Sequence, residues 1–121
     1  MGNIIIDKTV TRPHPLLPLS AEECCRARDV VTRQHRTETI LSYRSIYLQE
    51  PKRAELTPFL AAEHDGRVTD ATERPPRLAK VEYFVKCGKQ SQYCEAIVDI
   101  QTEKQITVKK FDPSFPISLN L

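Results

Sequence analysis

Apolar positions recur at Cys24, Ala27, Val30 and Val31, with Glu22, Arg26, Asp29 and Arg33 between them. This is the three-and-four spacing of an amphipathic helix with one buried stripe. Its start is marked by Ser20-Ala21-Glu22-Glu23, a capping box in which the Ser20 hydroxyl accepts from the Glu23 amide and Glu23 reaches back. Loss of that cap would cost about 1 kcal/mol. Leu19, just before the cap, is placed to staple onto Cys24. Upstream, Pro13, Pro15 and Pro18 hold the chain extended. The helix is expected to run to about His35.

The period then changes. Ile40 to Gln49 is rich in β-branched and aromatic residues and reads as a strand, with Ile46 and Leu48 on one face and Tyr47 on the other. Glu50-Pro51 ends it. A short second helix follows, with Pro51 at its first position, Leu56, Phe59 and Leu60 as its apolar side, and a kink or break at Pro58. Glu63 to Pro76 has Gly66, Pro75 and Pro76 and no periodicity, so it reads as a loop. Three strands come next: Leu78 to Cys87, Gln92 to Ile100, and Gln105 to Phe111. Pairing Cys87 with Cys94 brings Val85 to Ala96, Tyr83 to Val98 and Val81 to Ile100, with Phe84 against Ile97 on the opposite face. The turn Thr102-Glu103-Lys104 then aligns Ile100 with Ile106 and Val98 with Val108. These elements predict an α+β fold: one main N-terminal helix on a roughly four-stranded antiparallel sheet, plus the short second helix. Residues 1–13 read as a flexible leader, 14–111 as the domain, and 112–121 as a tail.

Composition adds limits. The 121 residues suit one domain, with 40% hydrophobic and 28% charged positions. Eighteen basic and 16 acidic residues leave a net charge of +2, too weak to suggest a nucleic-acid or anionic-membrane partner. No apolar run reaches membrane-spanning length, and Ile4-Ile5-Ile6 is too short for a signal-peptide core. Ile6 stands where an N-myristoylation motif wants Ser or Thr. The setting is therefore expected to be intracellular, and Cys24, Cys25, Cys87 and Cys94 to be reduced by default. Cys87 and Cys94, facing each other in the expected hairpin, form a candidate redox or disulfide pair, whose short loop would add roughly 2–3 kcal/mol. The four cysteines fit no usual zinc spacing.

The ordered pieces His14-Pro15-Leu16-Leu17-Pro18-Leu19, Ser20 to Glu23, Ile46-Tyr47-Leu48-Gln49-Glu50-Pro51-Lys52, Phe59-Leu60 and Tyr93-Cys94-Glu95-Ala96-Ile97-Val98-Asp99-Ile100 resemble the N2-type ancillary domain of copper amine oxidases. The resemblance spans about residues 14–111. Leu17 stands where that family carries Asp, and the cysteine pair and the tail after Phe111 also depart from it. The resemblance implies a cystatin-like fold and a chain truncated before the catalytic domain. It implies a parent activity, the oxidative deamination of primary amines to aldehyde, ammonia and hydrogen peroxide, using copper and topaquinone. It also implies a cytoplasmic or peroxisomal setting. For this chain it implies no catalytic, cofactor-binding or metal residue, a monomer in isolation although the family is dimeric, and the remainder of an amine oxidase as partner.

The residues agree with that expectation. His14, His35 and His64 form no His-x-His pair. Thr39-Ile40-Leu41-Ser42-Tyr43-Arg44 echoes the quinone motif, with Ser42 and Arg44 in the wrong places. Glu50 reads as a helix-start carboxylate, and Glu82 and Glu95 as solvent-facing or rim positions of the sheet. Phe84 and Ile97 are expected to leave a sticky patch on the second sheet face. Alternative functions are a stand-alone interaction module accepting a strand at an open sheet edge, and a small thiol redox or metal-binding protein.

Overall fold

The structure, a computed structural model, describes residues 13–111. The expected leader and tail lie outside the described residues, apart from Pro13. The elements in chain order are α1 (Ala21–Arg33), β1 (Leu41–Gln49), α2 (Arg53–His64), β2 (Leu78–Cys87), β3 (Gln90–Asp99) and β4 (Lys104–Lys110). The strands form one antiparallel sheet in the order β1-β2-β3-β4. The described residues divide into two compact units: 18–49 with 77–111, and 13–17 with 50–76.

The first unit is the helix on the sheet. Both halves of the capping box form, at 3.1 Å from the Glu23 amide to Ser20 Oγ and 3.0 Å from the Ser20 amide to Glu23 Oε1. Ala27, Val30 and Val31 of α1 are fully buried against Ala79, Val81 and Tyr83 of β2 and Cys94, Ala96 and Val98 of β3. The alanines of both layers let the helix approach closely. Each buried valine contributes about 1.5–3 kcal/mol. Cys24, expected in the stripe, is half-buried, and its thiol reaches the Ile46 carbonyl at 3.9 Å. The helix ends at Arg33 rather than His35. The Gln34 and His35 amides turn to the carbonyls of Val31 and Thr32, three residues back, which tightens the end out of α geometry.

In β1 the register slips between Tyr43 and Ser45, a bulge at Arg44. It lets Leu41 and Tyr43 on one side of the bulge, and Ile46 on the other, all pack at the margin of the core. Tyr47 lies on the far face, as expected. In the central hairpin the expected register is corrected. Cys87 pairs with Gln90, Val85 with Gln92, Tyr83 with Cys94, Val81 with Ala96 and Phe84 with Tyr93. The strands are joined through Gly88-Lys89 alone, with Gly88 at φ 61 in the first position, where a type II′ turn wants glycine. The offset is four residues, an even number, so each side chain keeps its face and only its partner changes. The last hairpin is also corrected: Val108 pairs with Ala96 and Gln105 with Val98, with a slip between Ile97 and Val98. Its turn begins with Asp99 Oδ1 accepting the amides of Gln101 and Thr102. Glu103 takes φ 57 and its carboxylate meets Arg26 at 4.0 Å and Arg33 at 3.7 Å on α1.

The second unit contains α2. The helix starts at Arg53, so Pro51 lies outside it, and the Lys52 carbonyl accepts from Glu55 and Leu56. Pro58 does not break it. The one carbonyl it orphans, that of Ala54, belongs to an exposed residue where water can serve. The helix also runs through Glu63 and His64, both expected in the loop. It stops at a Schellman turn, with Gly66 at φ 70, Gly66 N–H on Glu63 and Arg67 N–H on Ala62. Phe59 and Ala62 are buried, as is Pro15.

Candidate functional site

Cys94 is wholly buried on β3, in side-chain contact with Tyr83 and 3.9 Å from the Gln92 carbonyl. The expected juxtaposition with Cys87 is not formed. Cys87 pairs with Gln90, and Cys94 lies four residues further along β3. That is about 13 Å of strand, beyond the Cα separation a disulfide spans. Burial, then the neighbouring Cys25 and Glu23, pushes the Cys24 thiol up, which disfavours the reactive thiolate. Cys25 is exposed.

The histidines serve separate local roles. The Leu16 amide donates to His14 Nδ1 at 3.0 Å, so the other ring nitrogen, Nε2, carries the proton and donates to Glu63 Oε1 at 3.1 Å. The same ring stands edge-on to Phe59 at 5.5 Å. His35, two residues past the end of α1, lies 3.4 Å from the Tyr83 hydroxyl. Burial and then Lys110 lower its pKa and favour the neutral ring. His64 is exposed. Tyr43, in the segment that echoes a quinone motif, hydrogen-bonds Thr32 and donates to the Arg28 carbonyl at 3.3 Å, a structural tie between β1 and α1. Among the described residues no group of three or more His, Cys, Asp or Glu is placed to hold a metal ion. These residues do not fit a copper centre.

Two carboxylate assemblies are densely hydrogen-bonded. Glu23, besides its capping role, takes both Arg77 Nε and Nη2 at 2.8 Å, with 13% and 11% of the two side chains exposed. Arg77 also donates to the Pro18 carbonyl at 3.3 Å. The Arg77 hydrogen bonds hold Glu23 below the usual carboxylate range against the opposing effect of burial. The sequence signals Glu23 through its capping box, but nothing in it points to Arg77. On the sheet face away from α1, Glu82 pairs with Glu95 across β2 and β3. Both are half-buried rather than fully solvent-facing. Ser45 donates to Glu82 at 2.6 Å and Tyr47 at 2.8 Å; Tyr93 donates to Glu95 at 2.9 Å, and Lys80 stands 3.4 Å away. Burial would raise Glu82, but the Ser45 and Tyr47 hydroxyls outweigh it and lower its pKa. A carboxylate held ionised and saturated with donors is a poor general acid. The assembly fixes strands together and offers no reactive group. Beside it Phe84, Tyr93 and Phe111 stack at 5.3 and 5.1 Å. Tyr93 is buried, and Phe84 and Ile97 are half-buried, less open than expected.

In the other unit a cleft of about 350 Å³ lies among Glu55, Pro58, Glu73, Arg74, Pro75 and Pro76. The Arg74 guanidinium is spent on the Phe59 ring, 5.0 Å from its centroid. The cleft holds no nucleophile–base pair. No helix among the described residues is long and apolar enough to cross a membrane.

The sequence matches the family described as copper amine oxidase, N2 domain, over residues 14–110. It is 40% identical over 110 residues to copper amine oxidase 1 of Aspergillus niger, covering 90% of this chain and 16% of that protein. Its fold is similar to that of a copper-containing benzylamine oxidase from Hansenula polymorpha, with a TM-score of 0.71 and 19% identity, over 83% of this chain and 15% of that one. The chain thus spans less than a fifth of the length of each relative. A helix laid on a four-stranded meander, the family match over most of the described residues and the 40% identity lead to one assignment: the chain belongs to the copper amine oxidase N2-domain family.

Proposed function

We propose that this chain acts as a non-catalytic ancillary domain of a primary-amine oxidase. In that reading the rest of such an enzyme is its partner, and supplies copper, topaquinone and the oxidative deamination of primary amines. One observation carries the reading: the similarity fills 90% of this chain and only 16% of the relative. The interior supports it. Glu23 is occupied in the α1 cap and the Arg77 pair, Tyr43 in a helix-to-sheet tie, and Glu82 and Glu95 in a cross-strand network. An intracellular setting, cytoplasmic or peroxisomal, suits Cys24, Cys25 and Cys94 as free thiols.

The purified chain is expected to be monomeric in light scattering, to bind no stoichiometric copper, to give no quinone stain and to release no peroxide from amines. Added to the remainder of an amine oxidase, it is expected to co-purify with it. Peroxide production that follows the chain through successive purification steps would overturn the reading.

A further inference from the structure

β4 forms one edge of the sheet. The Phe111 amide donates inward to the Tyr93 carbonyl at 2.9 Å, and the register continues through Glu95 with Lys109 and Ile97 with Thr107. Bonded and non-bonded pairs alternate in an antiparallel ladder, so the backbone N–H and C=O of Val108 and Lys110 point out of the sheet. The side chains along this edge are open too: Ile106 is 52% and Val108 39% exposed, and Lys104, Lys109 and Lys110 are exposed. β4 contains no acidic residue. Among the described residues no carboxylate lies within ion-pair distance of these three lysines. Lys109 stands over the Phe111 ring at 5.7 Å. The opposite edge, β1, differs in charge: it carries no lysine.

A row of lysines on an edge strand repels a second copy of the same edge, because two such rows would meet like to like. The same row favours an occupant of opposite sign. We propose that the β4 edge binds an extended acidic segment of another polypeptide by strand addition. The main-chain hydrogen bonds go to Val108 and Lys110. The register puts Lys104 and Lys109 on one face of β4, opposite Asp99 and Glu95, and Val108 and Lys110 on the other, opposite Ala96 and Cys94. Acidic side chains therefore meet Lys104 and Lys109 while the alternate apolar side chains cover Val108. Nothing in this surface depends on the amine oxidase assignment.

The test is titration of the isotope-labelled 121-residue chain with a monomeric synthetic peptide of alternating glutamate and valine, and with its lysine-for-glutamate counterpart. Amide shifts and hydrogen exchange are the readouts. The acidic peptide is expected to saturate, to protect the Val108 and Lys110 amides, and to bind about tenfold more weakly when salt is raised to about 0.5 M. The lysine peptide is expected to cause no shifts. The triple reversal Lys104→Glu, Lys109→Glu and Lys110→Glu, at exposed positions, is expected to exchange the two preferences while the rest of the amide spectrum stays in place. Four results would overturn the proposal: no saturation by the acidic peptide, equal binding of both peptides, shifts centred on α1 or β1, or a dimer of the chain formed through β4.

Discussion

Glu23 closes the first turn of α1 and clamps Arg77 at the start of β2, so one carboxylate fixes where the helix begins and where the sheet enters. Arg77→Met leaves that carboxylate partly buried without its two-pronged partner. Urea unfolding is expected to show a loss of about 2–4 kcal/mol. The pH dependence follows from the same pair. The folded Glu23 pKa is depressed, by Arg77 first, below its ordinary value of 4.5. The unfolded state therefore binds the proton more readily, and this stability is present above pH 4.5 and lost as pH falls through the folded value. The His35 pKa is also depressed, by burial and Lys110, from 6.5. Its contribution is likewise intact above that value and fades as pH drops below it. The melting temperature is expected to decline gently below about pH 6.5 and more steeply below about pH 4.5. In Arg77→Met the steeper limb should be reduced. The thiols give a separate check. In a timed reaction with a thiol reagent, Cys25 is expected to modify rapidly and the wholly buried Cys94 only as the chain unfolds.

At the scale of elements, the two turns that set register and helix end both rest on glycine. Gly88 has open space around a would-be Cβ, so Gly88→Ala meets no clash; the backbone at φ 61 supplies the whole penalty. A cost of about 1 kcal/mol, with the fold retained, is expected from thermal melts. Pro58 is the reverse case. It deprives α2 of one hydrogen bond at an exposed turn, so Pro58→Ala is expected to raise the helix's resistance to hydrogen exchange by about 1 kcal/mol. These elements also show what the chain spells out. The start of α1, its buried Ala27, Val30 and Val31, and the opposite facing of Ile46 and Tyr47 are all legible, because each depends on neighbours within one or two turns. The central register was not. A period of two assigns faces but is blind to any even slip, and only Gly88-Lys89, a two-residue connection, selects among the slips. The bulge at Arg44 and the slip opposite Ile97 and Val98 similarly shift β1 and β4 by single residues that alternation cannot register. Arg77 escaped for another reason: it meets Glu23 from 54 positions away, beyond any local pattern.

At the scale of the molecule, side-chain chemistry is spent on holding layers together. Thr32, Tyr43 and Tyr83 tie α1 to the sheet, and Ser45, Tyr47, Glu82, Tyr93 and Glu95 lace the far face. Leu16 and Leu17 stay open, at 41% and 52% exposure, beside the His14 turn. Leu17→Asp, at this exposed position, is expected to change stability by less than about 0.5 kcal/mol. It is also expected to lower light-scattering aggregation at high concentration.

The Gly88-Lys89 connection has a consequence for how the chain reaches this arrangement. β2 and β3 are joined by the least loop a hairpin permits, so zipping them together sacrifices little chain entropy. β1 must instead wait for the whole excursion from Glu50 to Arg77 to close. The central hairpin, with Val81, Tyr83, Cys94 and Ala96, should therefore form the folding nucleus, and β1 should dock late. Truncations in the hairpin core are expected to slow refolding, whereas Ile46→Val should act on the unfolding rate alone.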